Sequence, residues 1–292
     1  MKKIPILILF KENKIPKKIK ESSDIHFPSN FIFKENESIY VCLHQIVHLN
    51  KLQKNFFLLQ VGIKLINFCK KGKYYIKYFG DKNLEEINLC LGWELGKYKF
   101  DKFKIKNRNK TDADLISKFE SQTKKDKKVF FFVRDLINTP ANFLGPDEIY
   151  NLGRAFLKMN FSSKKISGNE LKKKFPLIHS VGKGASKEKK PIFCEIKSKA
   201  KKSKKKIFII GKGVSFDTGG LNLKTGSGMS LMKKDMGGAA NCIGLCSLIK
   251  SSGINVDITL LLCLVENSVS RDSFRPSDIF KSRDGRFVEI GD

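Results

Sequence analysis

One segment in the last third of the chain restricts the fold more than any other. Residues 207–211 form an apolar run that enters a Gly-rich stretch at 211–228, and residues 229–250 have the pattern of a long helix. Residues 256–265 are strongly apolar, which predicts a strand buried between layers of helices. The order strand, loop, helix, strand is typical of α/β folds.

Other apolar runs predict further elements of an α/β protein. We expect strands at 4–10, 39–43, 56–61 and 74–79 and a helix around 84–97. Pro146, Asp147 and Glu148 predict a helix start, because Pro suits the first turn and acids favour its positive end. We expect that helix to reach about residue 159, followed by strands at 177–181 and 191–196. We also expect a hairpin in which the two-residue turn Asp284-Gly285 separates 279–283 from 286–290.

The predicted domain organisation follows from the length of the chain and from a change in composition and apolar pattern along it. A chain of 292 residues suggests about two domains. Residues 106–128 are polar and dense in lysine, and the apolar pattern becomes more regular after them. We therefore predict an N-terminal α/β domain at 1–105, a connecting segment at 106–128 and a second domain at 129–292.

The charge of the chain is strongly positive and unevenly placed. There are 57 Lys and Arg against 29 Asp and Glu, a net charge of +28. Residues 207–292 hold 10 basic and 9 acidic residues, so nearly all of the excess lies before them. Only 7 of the basic residues are Arg, on which specific readers of nucleic acid rely. We interpret the excess as lysine that accumulated on a tolerant surface through drift toward AT-rich codons.

Several classes of protein do not fit the sequence. No apolar run reaches the roughly 20 residues needed to cross a bilayer, and MKKIPILILF lacks the cleavage site of a signal peptide. The 7 cysteines contain no CxxC, which predicts reduced core thiols. The 4 histidines contain no HExxH, which disfavours a histidine-based zinc site. We expect a cytoplasmic protein without a membrane segment.

The segment 211–241, GKGVSFDTGGLNLKTGSGMSLMKKDMGGAAN, contains the residues with the clearest chemical meaning. Lys212 and Asp217 lie at the end of a predicted strand and in the loop after it, where open α/β sheets place ligands. Asp235 follows beside small residues that allow close approach of the backbone. Because two converging carboxylates repel each other unless a cation joins them, the pattern predicts a divalent metal site. The phosphate-binding pattern GxGxxG is absent.

This segment and several shorter blocks resemble the leucyl aminopeptidase family, the two-metal cytosol aminopeptidases. The blocks, in family order, are VRDLINTPAN at 133–142, SVGKGA at 180–185, the segment 211–241, VEN at 265–267, RPSDI at 275–279 and RFVEIG at 286–291, with a weaker match at 91–100. The resemblance implies an N-terminal α/β domain followed by the front half of a three-layer α/β/α aminopeptidase catalytic domain.

The resemblance also implies roles for single residues. Lys212, Asp217 and Asp235 fall on metal-ligand positions, and Asp217 would bridge two divalent ions, Mn²⁺ or Zn²⁺. Lys224 falls on the catalytic, substrate-binding lysine that polarises the scissile carbonyl. Met232 lines the pocket for the first side chain of the substrate. The implied substrate is a peptide with a free N-terminus and a leucine-like first residue, the implied assembly is a hexamer, and bicarbonate acts as a base in the complete site.

One departure from the family pattern lies at the end of the sequence. The family continues with a string like NTDAEGR, which supplies a further Asp ligand, a bridging Glu and an Arg that holds bicarbonate. Asp292 falls on the slot of the Asn and is not expected to be a ligand. We expect these residues alone to be marginally stable, aggregation-prone and inactive or nearly so, with 256–265 partly uncovered. We keep two alternatives to the aminopeptidase. The first is a non-catalytic remnant or assembly subunit, and the second is a lysine-rich nucleic-acid binder.

Overall fold

The computed structural model describes residues 3–9, 31–35, 38–43, 46, 48–79, 86–105, 113–157, 161–201, 203 and 205–291. Phe10, His44, residues 84–85, residues 158–159 and Asp292, all of which enter the sequence-based predictions, lie outside these ranges. The chain divides into two compact units, Met1–Phe131 and Phe132–Asp292, and each contains a β-sheet and a hydrophobic core.

The first unit is built on a five-stranded sheet with the order β2-β3-β1-β4-β5. The strands are β1 (Lys3–Leu9), β2 (Phe31–Glu35), β3 (Ser38–Cys42), β4 (Gly72–Phe79) and β5 (Ala113–Ile116). Strand β1 is parallel to β3 and β4, β4 is parallel to β5, and β2 is antiparallel to β3. Helices α1 (Lys51–Leu65) and α2 (Glu86–Gly96) share one core with this sheet, centred on Ile6, Ile39 and Trp93.

The prediction of a strand at 56–61 is wrong, because these residues belong to α1. The helix begins after Asn50, which forms a capping box with Gln53: each side chain binds the other residue's backbone N–H. The buried positions Leu58, Val61, Gly62 and Leu65 recur at helical spacing. The consecutive apolar residues around them masked this periodicity in the sequence.

The predicted connecting segment 106–128 contains more regular structure than its composition indicates. Within it, β5 pairs with β4 in parallel, with Ala113 opposite Gly72. Helix α3 (Glu120–Asn138) begins in the same segment and contains the division between the two units. Strand β5 alternates buried and exposed side chains, so only two of its four residues contribute to the core. Such a short strand within lysine-rich sequence gives no clear signal.

The second unit is built on a four-stranded mixed sheet with the order β6-β7-β9-β8. The strands are β6 (Ser162–Ser167), β7 (Ile192–Ser198), β8 (Lys206–Asp217) and β9 (Asp257–Asn267). Strands β8 and β9 are parallel, whereas β7 is antiparallel to both β9 and β6. A separate hairpin pairs β10 (Ile279–Lys281) with β11 (Phe287–Glu289), so a hairpin is present as predicted. The predicted two-residue turn is wrong, because residues 282–286 connect the two strands.

Helices cover both faces of this sheet, as the predicted three-layer α/β/α arrangement requires. One core joins the sheet to α3, α4 (Pro146–Leu157) and α8 (Gly237–Ser251). A smaller cluster on the opposite face joins Phe193 and Leu261 to α5 (Gly168–Lys174) and α6 (Pro176–Gly182). Since successive side chains of a strand point to opposite faces, β7 and β9 contribute to both cores.

Two further predictions in this unit differ from the structure. Residues 177–181 form helix α6 instead of a strand, and Pro176 occupies its first turn. The helix predicted at 229–250 is regular only from Gly237 onward, after the short helix α7 (Gly226–Met229) and a 3₁₀ turn at Met232–Lys234. The first turn of this helix packs closely on β8, because a Cβ on Gly238 would lie 3.1 Å from the carbonyl oxygen of Lys212.

In the four-stranded sheet, exposed apolar side chains lie on β8, whereas residues 256–265, predicted to be partly uncovered, are buried or half-buried. Strand β9 is flanked by β7 and β8 and is buried at alternate positions. Strand β8 is at the edge of the sheet, and its Phe208 and Ile210 are 68% and 69% exposed.

Two further observations concern the cysteines and the lengths of the helices. No disulfide links the 7 cysteines, all of which are described, and Cys42, Cys69, Cys90, Cys194 and Cys246 are buried. Among the described residues, no helix has the length and apolar character required to cross a membrane.

Candidate metal centre

The predicted site residues lie around the carboxyl ends of β8 and β9. These two strands are parallel, so both end at the same edge of the sheet, which is where α/β sheets bind ligands. The pairing is regular up to Val214 opposite Val265, then shifts, and resumes with Asp217 opposite Asn267. This irregularity re-aims the last residues of β8 at the edge of the sheet.

Asp217 is held by three groups. Its Oδ1 accepts hydrogen bonds from the backbone N–H of Gly219 at 2.9 Å and from Asn267 Nδ2 at 2.7 Å. Its Oδ2 lies 3.2 Å from Lys224 Nζ. Burial alone would raise the pKa of Asp217, but these hydrogen bonds and the lysine outweigh it and lower the pKa below its ordinary value. Asp217 is therefore an anion at neutral pH.

Asp235 is paired with Lys212, but less completely. Lys212 Nζ lies 3.1 Å from Asp235 Oδ2. That oxygen is buried and accepts no hydrogen bond of good geometry, so the lysine supplies a nearby charge without a directed bond. The Asp235 side chain is 19% exposed, whereas that of Lys212 is 63% exposed. The carboxylate is thus largely buried, and its counter-ion is largely in solvent.

The loop after β8 returns Lys224 to Asp217. Thr218 donates from its N–H and its hydroxyl to the carbonyl oxygen of Asn267, both at 2.9 Å, and its own carbonyl accepts from Lys224 N–H at 3.0 Å. Gly219 and Gly220 have φ values of 88° and 64°, which side chains other than glycine rarely adopt. The two glycines thus make possible the reversal that places Lys224 beside Asp217.

Met232 lies one turn before Asp235 in the 3₁₀ turn. Its carbonyl oxygen accepts a hydrogen bond from Asp235 N–H at 3.1 Å, and its side chain is half-buried. The structure therefore brings Lys212 to Asp235 and Lys224 to Asp217, with Met232 adjoining the first pair in sequence.

The residues present have the chemistry of a divalent cation site. Within the described ranges, no group of three or more His, Cys, Asp and Glu side chains is arranged to hold a metal. The predicted set instead combines two carboxylates with the amine of Lys212. Each carboxylate faces the ammonium group of a lysine. The buried Oδ2 of Asp235 accepts no hydrogen bond, and a bound cation would satisfy this oxygen. A lysine ligand must first lose its proton.

Asn267 is a site residue that the sequence did not single out. It ends β9 and contacts Asp217 through its side chain and Thr218 through its backbone. Its presence in the block VEN at 265–267 was the available signal, but nothing in that block specifies which way the side chain points.

Comparison with known proteins identifies the family. Residues 131–292 match the catalytic domain of the cytosol aminopeptidase family. The chain belongs to this family. Its residues also align with a "probable cytosol aminopeptidase" of Clostridium perfringens, at 30% identity over 253 residues, covering 78% of this chain and 51% of that protein.

Solved structures support the same fold. The cytosol aminopeptidase of Coxiella burnetii superposes with a TM-score of 0.80 and 27% identity, covering 99% of this chain and 64% of that one. The bottromycin maturation enzyme BotP in complex with Mn has a TM-score of 0.77 and covers 98% of this chain and 64% of that one, and at 17% identity it shows the shared fold alone. The chain spans about half the length of the curated relatives that it matches. The family comprises metal-dependent aminopeptidases.

Proposed function

We propose that this chain forms the metal-holding part of an aminopeptidase that removes leucine-like residues from the free N-terminus of peptides. The observation that carries this proposal is the pair of fixed carboxylates, Asp217 and Asp235, each facing a lysine at the carboxyl edge of the sheet. A structural ion pair would not need to leave Asp235 Oδ2 buried without a hydrogen bond.

Lys212, Asp217 and Asp235 are the proposed ligands of two divalent ions, with Asp217 shared between them. Carboxylates and an amine suit Mn²⁺ and Zn²⁺ alike. The Mn complex of BotP makes Mn²⁺ the first ion to test. Bound ions would polarise the scissile carbonyl and increase the acidity of a water molecule. A bicarbonate base is proposed for the complete site only.

Lys224 is the proposed catalytic residue of this chain. Its ammonium group is already held at 3.2 Å from Asp217 Oδ2 by a loop whose backbone is tied to the end of β9. A cation fixed in this way can donate to the oxygen of the peptide carbonyl and stabilise the negative charge that develops there. Met232, half-buried beside Asp235, is proposed to contact the first side chain of the substrate.

The assembly and the location of the protein are proposed from the family. Homologous proteins bear the name cytosol aminopeptidase, which supports a cytoplasmic location. We propose a homo-oligomer, with a hexamer as the first arrangement to test by size measurement. We also propose residues 129–292 as the catalytic domain.

Metal binding by the chain tests this function directly. When Mn²⁺ binds to the protein, the EPR signal of the free ion should decrease in proportion to the amount bound. We expect this decrease with wild type and little of it with Asp235→Asn. Asp257→Asn is the matched control, because Asp257 begins β9 at the opposite end of the strand and binds Ala200 N–H. Release of leucine from leucine amide, with Mn²⁺ or Zn²⁺ added, is the second readout. Equal binding by wild type and Asp235→Asn would refute the proposal.

A further inference from the structure

Asn267 occupies an unusual position at the end of β9. Its side chain is 5% exposed, and its Nδ2 donates to Asp217 Oδ1 at 2.7 Å. Its Oδ1 is also buried but has no hydrogen-bond partner. A buried amide oxygen without a partner is costly, and in native proteins such a group calls for an explanation.

The chemistry of Asp217 explains the orientation of this amide. An ionised carboxylate only accepts hydrogen bonds, so the amide must present Nδ2 to it. Turning the amide over would bring its oxygen against Asp217 Oδ1 and replace attraction by repulsion. The fold therefore keeps Asn267 Oδ1 unsatisfied and gains a donor to the carboxylate.

The two oxygens of Asp217 consequently have different surroundings. Oδ1 is occupied by two donors, Gly219 N–H and Asn267 Nδ2. Oδ2 is approached, within the described residues, by the Lys224 ammonium at 3.2 Å. Because Oδ1 already accepts from two donors, it has few lone-pair directions left for a further partner. Oδ2 retains lone-pair directions that a further partner can use.

We infer that Asn267 is a positioning residue, which occupies Asp217 Oδ1 and thereby reserves Oδ2 for the cations. This inference rests on the proposed function, since it assigns a task toward the same metal site. Asn267 also ties the loop to the strand through its backbone, because its carbonyl accepts from Thr218 N–H and hydroxyl. That backbone contact does not depend on the side chain, so substitution can separate the two contributions.

Asn267→Leu removes the amide donor at similar volume, and Asn267→Ser replaces it with a shorter side chain whose hydroxyl falls short of the position of Nδ2. Ser215→Ala is the matched control: Ser215 is 1% exposed, and its hydroxyl donates across the same two strands to Val265 O at 3.2 Å instead of to Asp217. We expect both Asn267 variants to raise the Kd for Mn²⁺ about 10- to 100-fold. Ser215→Ala should leave the Kd unchanged while lowering the thermal midpoint as the Asn267 variants do.

Three results would be distinguishable. A Kd unchanged in Asn267→Leu and Asn267→Ser would overturn the inference, as would an equal loss of affinity in Ser215→Ala. If wild type bound neither Mn²⁺ nor Zn²⁺, the proposed function itself would fail. In that case crystal structures of wild type and Asn267→Leu still decide the positioning role: a rotated Asp217 carboxylate supports it, and an unchanged one contradicts it.

Discussion

Two carboxylates, one in each unit of the molecule, show how similar residues are used for different purposes. Glu94 in the first unit is 9% exposed, and each of its oxygens accepts a hydrogen bond from a lysine, Oε1 from Lys97 at 2.9 Å and Oε2 from Lys127. Asp235 in the second unit has Lys212 near one oxygen, without a directed hydrogen bond.

The two carboxylates differ in how many of their oxygens accept hydrogen bonds from lysine. Burial would raise the pKa of Glu94, but its two lysine hydrogen bonds outweigh burial and lower it. Both oxygens of Glu94 are engaged by lysines of its own unit, and the contact with Lys127 links helices α2 and α3. A fixed carboxylate with an unsatisfied oxygen and an exposed counter-ion can exchange that counter-ion for a metal. The presence of a nearby lysine does not distinguish Glu94 from Asp235. The number of hydrogen bonds that each carboxylate oxygen accepts does distinguish them.

The largest expected effect contrasts the two units in metal binding. Asp217→Asn should raise the Kd for Mn²⁺ by at least about 100-fold, because it removes a negative ligand shared by both ions. Glu94→Gln should leave the Kd as in wild type. Titration followed by EPR measures both, and a comparable loss in Glu94→Gln would end the distinction drawn between Glu94 and the carboxylates of the proposed site.

Folding stability should be more sensitive to Glu94 than to Asp235. Glu94→Gln leaves two lysines without their buried partner and should lower the free energy of unfolding by about 2 kcal/mol. Asp235→Asn removes one ion pair with a mostly exposed lysine, so its effect should stay within about 0.5 kcal/mol. Urea denaturation without metal gives both values. A larger cost for Asp235→Asn would mean that its ion pair is structural.

Two glycines in the second unit allow a finer comparison between the site and the rest of the fold. Gly219 and Gly285 have nearly the same φ, 88° and 90°, so Ala at either position should cost about 1 kcal/mol in strain. A Cβ on Gly219 would overlap the carbonyl oxygen of Asn222, whereas one on Gly285 would meet only Lys281 Cε at 3.9 Å. Gly219→Ala should therefore also weaken Mn²⁺ binding, and Gly285→Ala should not. Equal affinities in the two variants would argue against a precise role for the loop.

The smallest expected effect concerns pH. The pKa of Glu94 is lowered in the folded state relative to its ordinary value of 4.5, so its ion pairs stabilise the fold fully above that pH. This contribution is lost as the pH falls through the lowered pKa. The difference in unfolding free energy between wild type and Glu94→Gln should thus be constant at neutral pH and shrink below about pH 4.5. A difference that grows on acidification would contradict the assignment.

Much of the fold was predictable because its signals are local. The family blocks and the strand–loop–helix–strand segment predicted the class of fold, and β9 was found from its apolar run. Residues 56–61 and 177–181 were assigned to strands because short apolar runs do not reveal their period, and the helices that they form depend on Asn50 and Pro176 at their starts.

The site was predictable as a set of residue types but not as an arrangement. Lys212 and Asp235 are separated by 23 positions in sequence, and their pairing depends on the late start of α8 at Gly237. The contact between Asp217 and Asn267 depends on the shift in register at the end of β8. Neither feature can be derived from periodicity, because both result from packing between elements distant in the chain.

The buried cysteines give each unit its own built-in reporter of local opening. Burial raises the pKa of Cys90 to about 11 in the first unit and that of Cys194 and Cys246 to about 12 in the second. Because only the thiolate reacts with alkylating reagents, these thiols react slowly until the structure around them opens. Mass spectrometry of the labelled peptides therefore times the opening of the two cores separately, without any added probe.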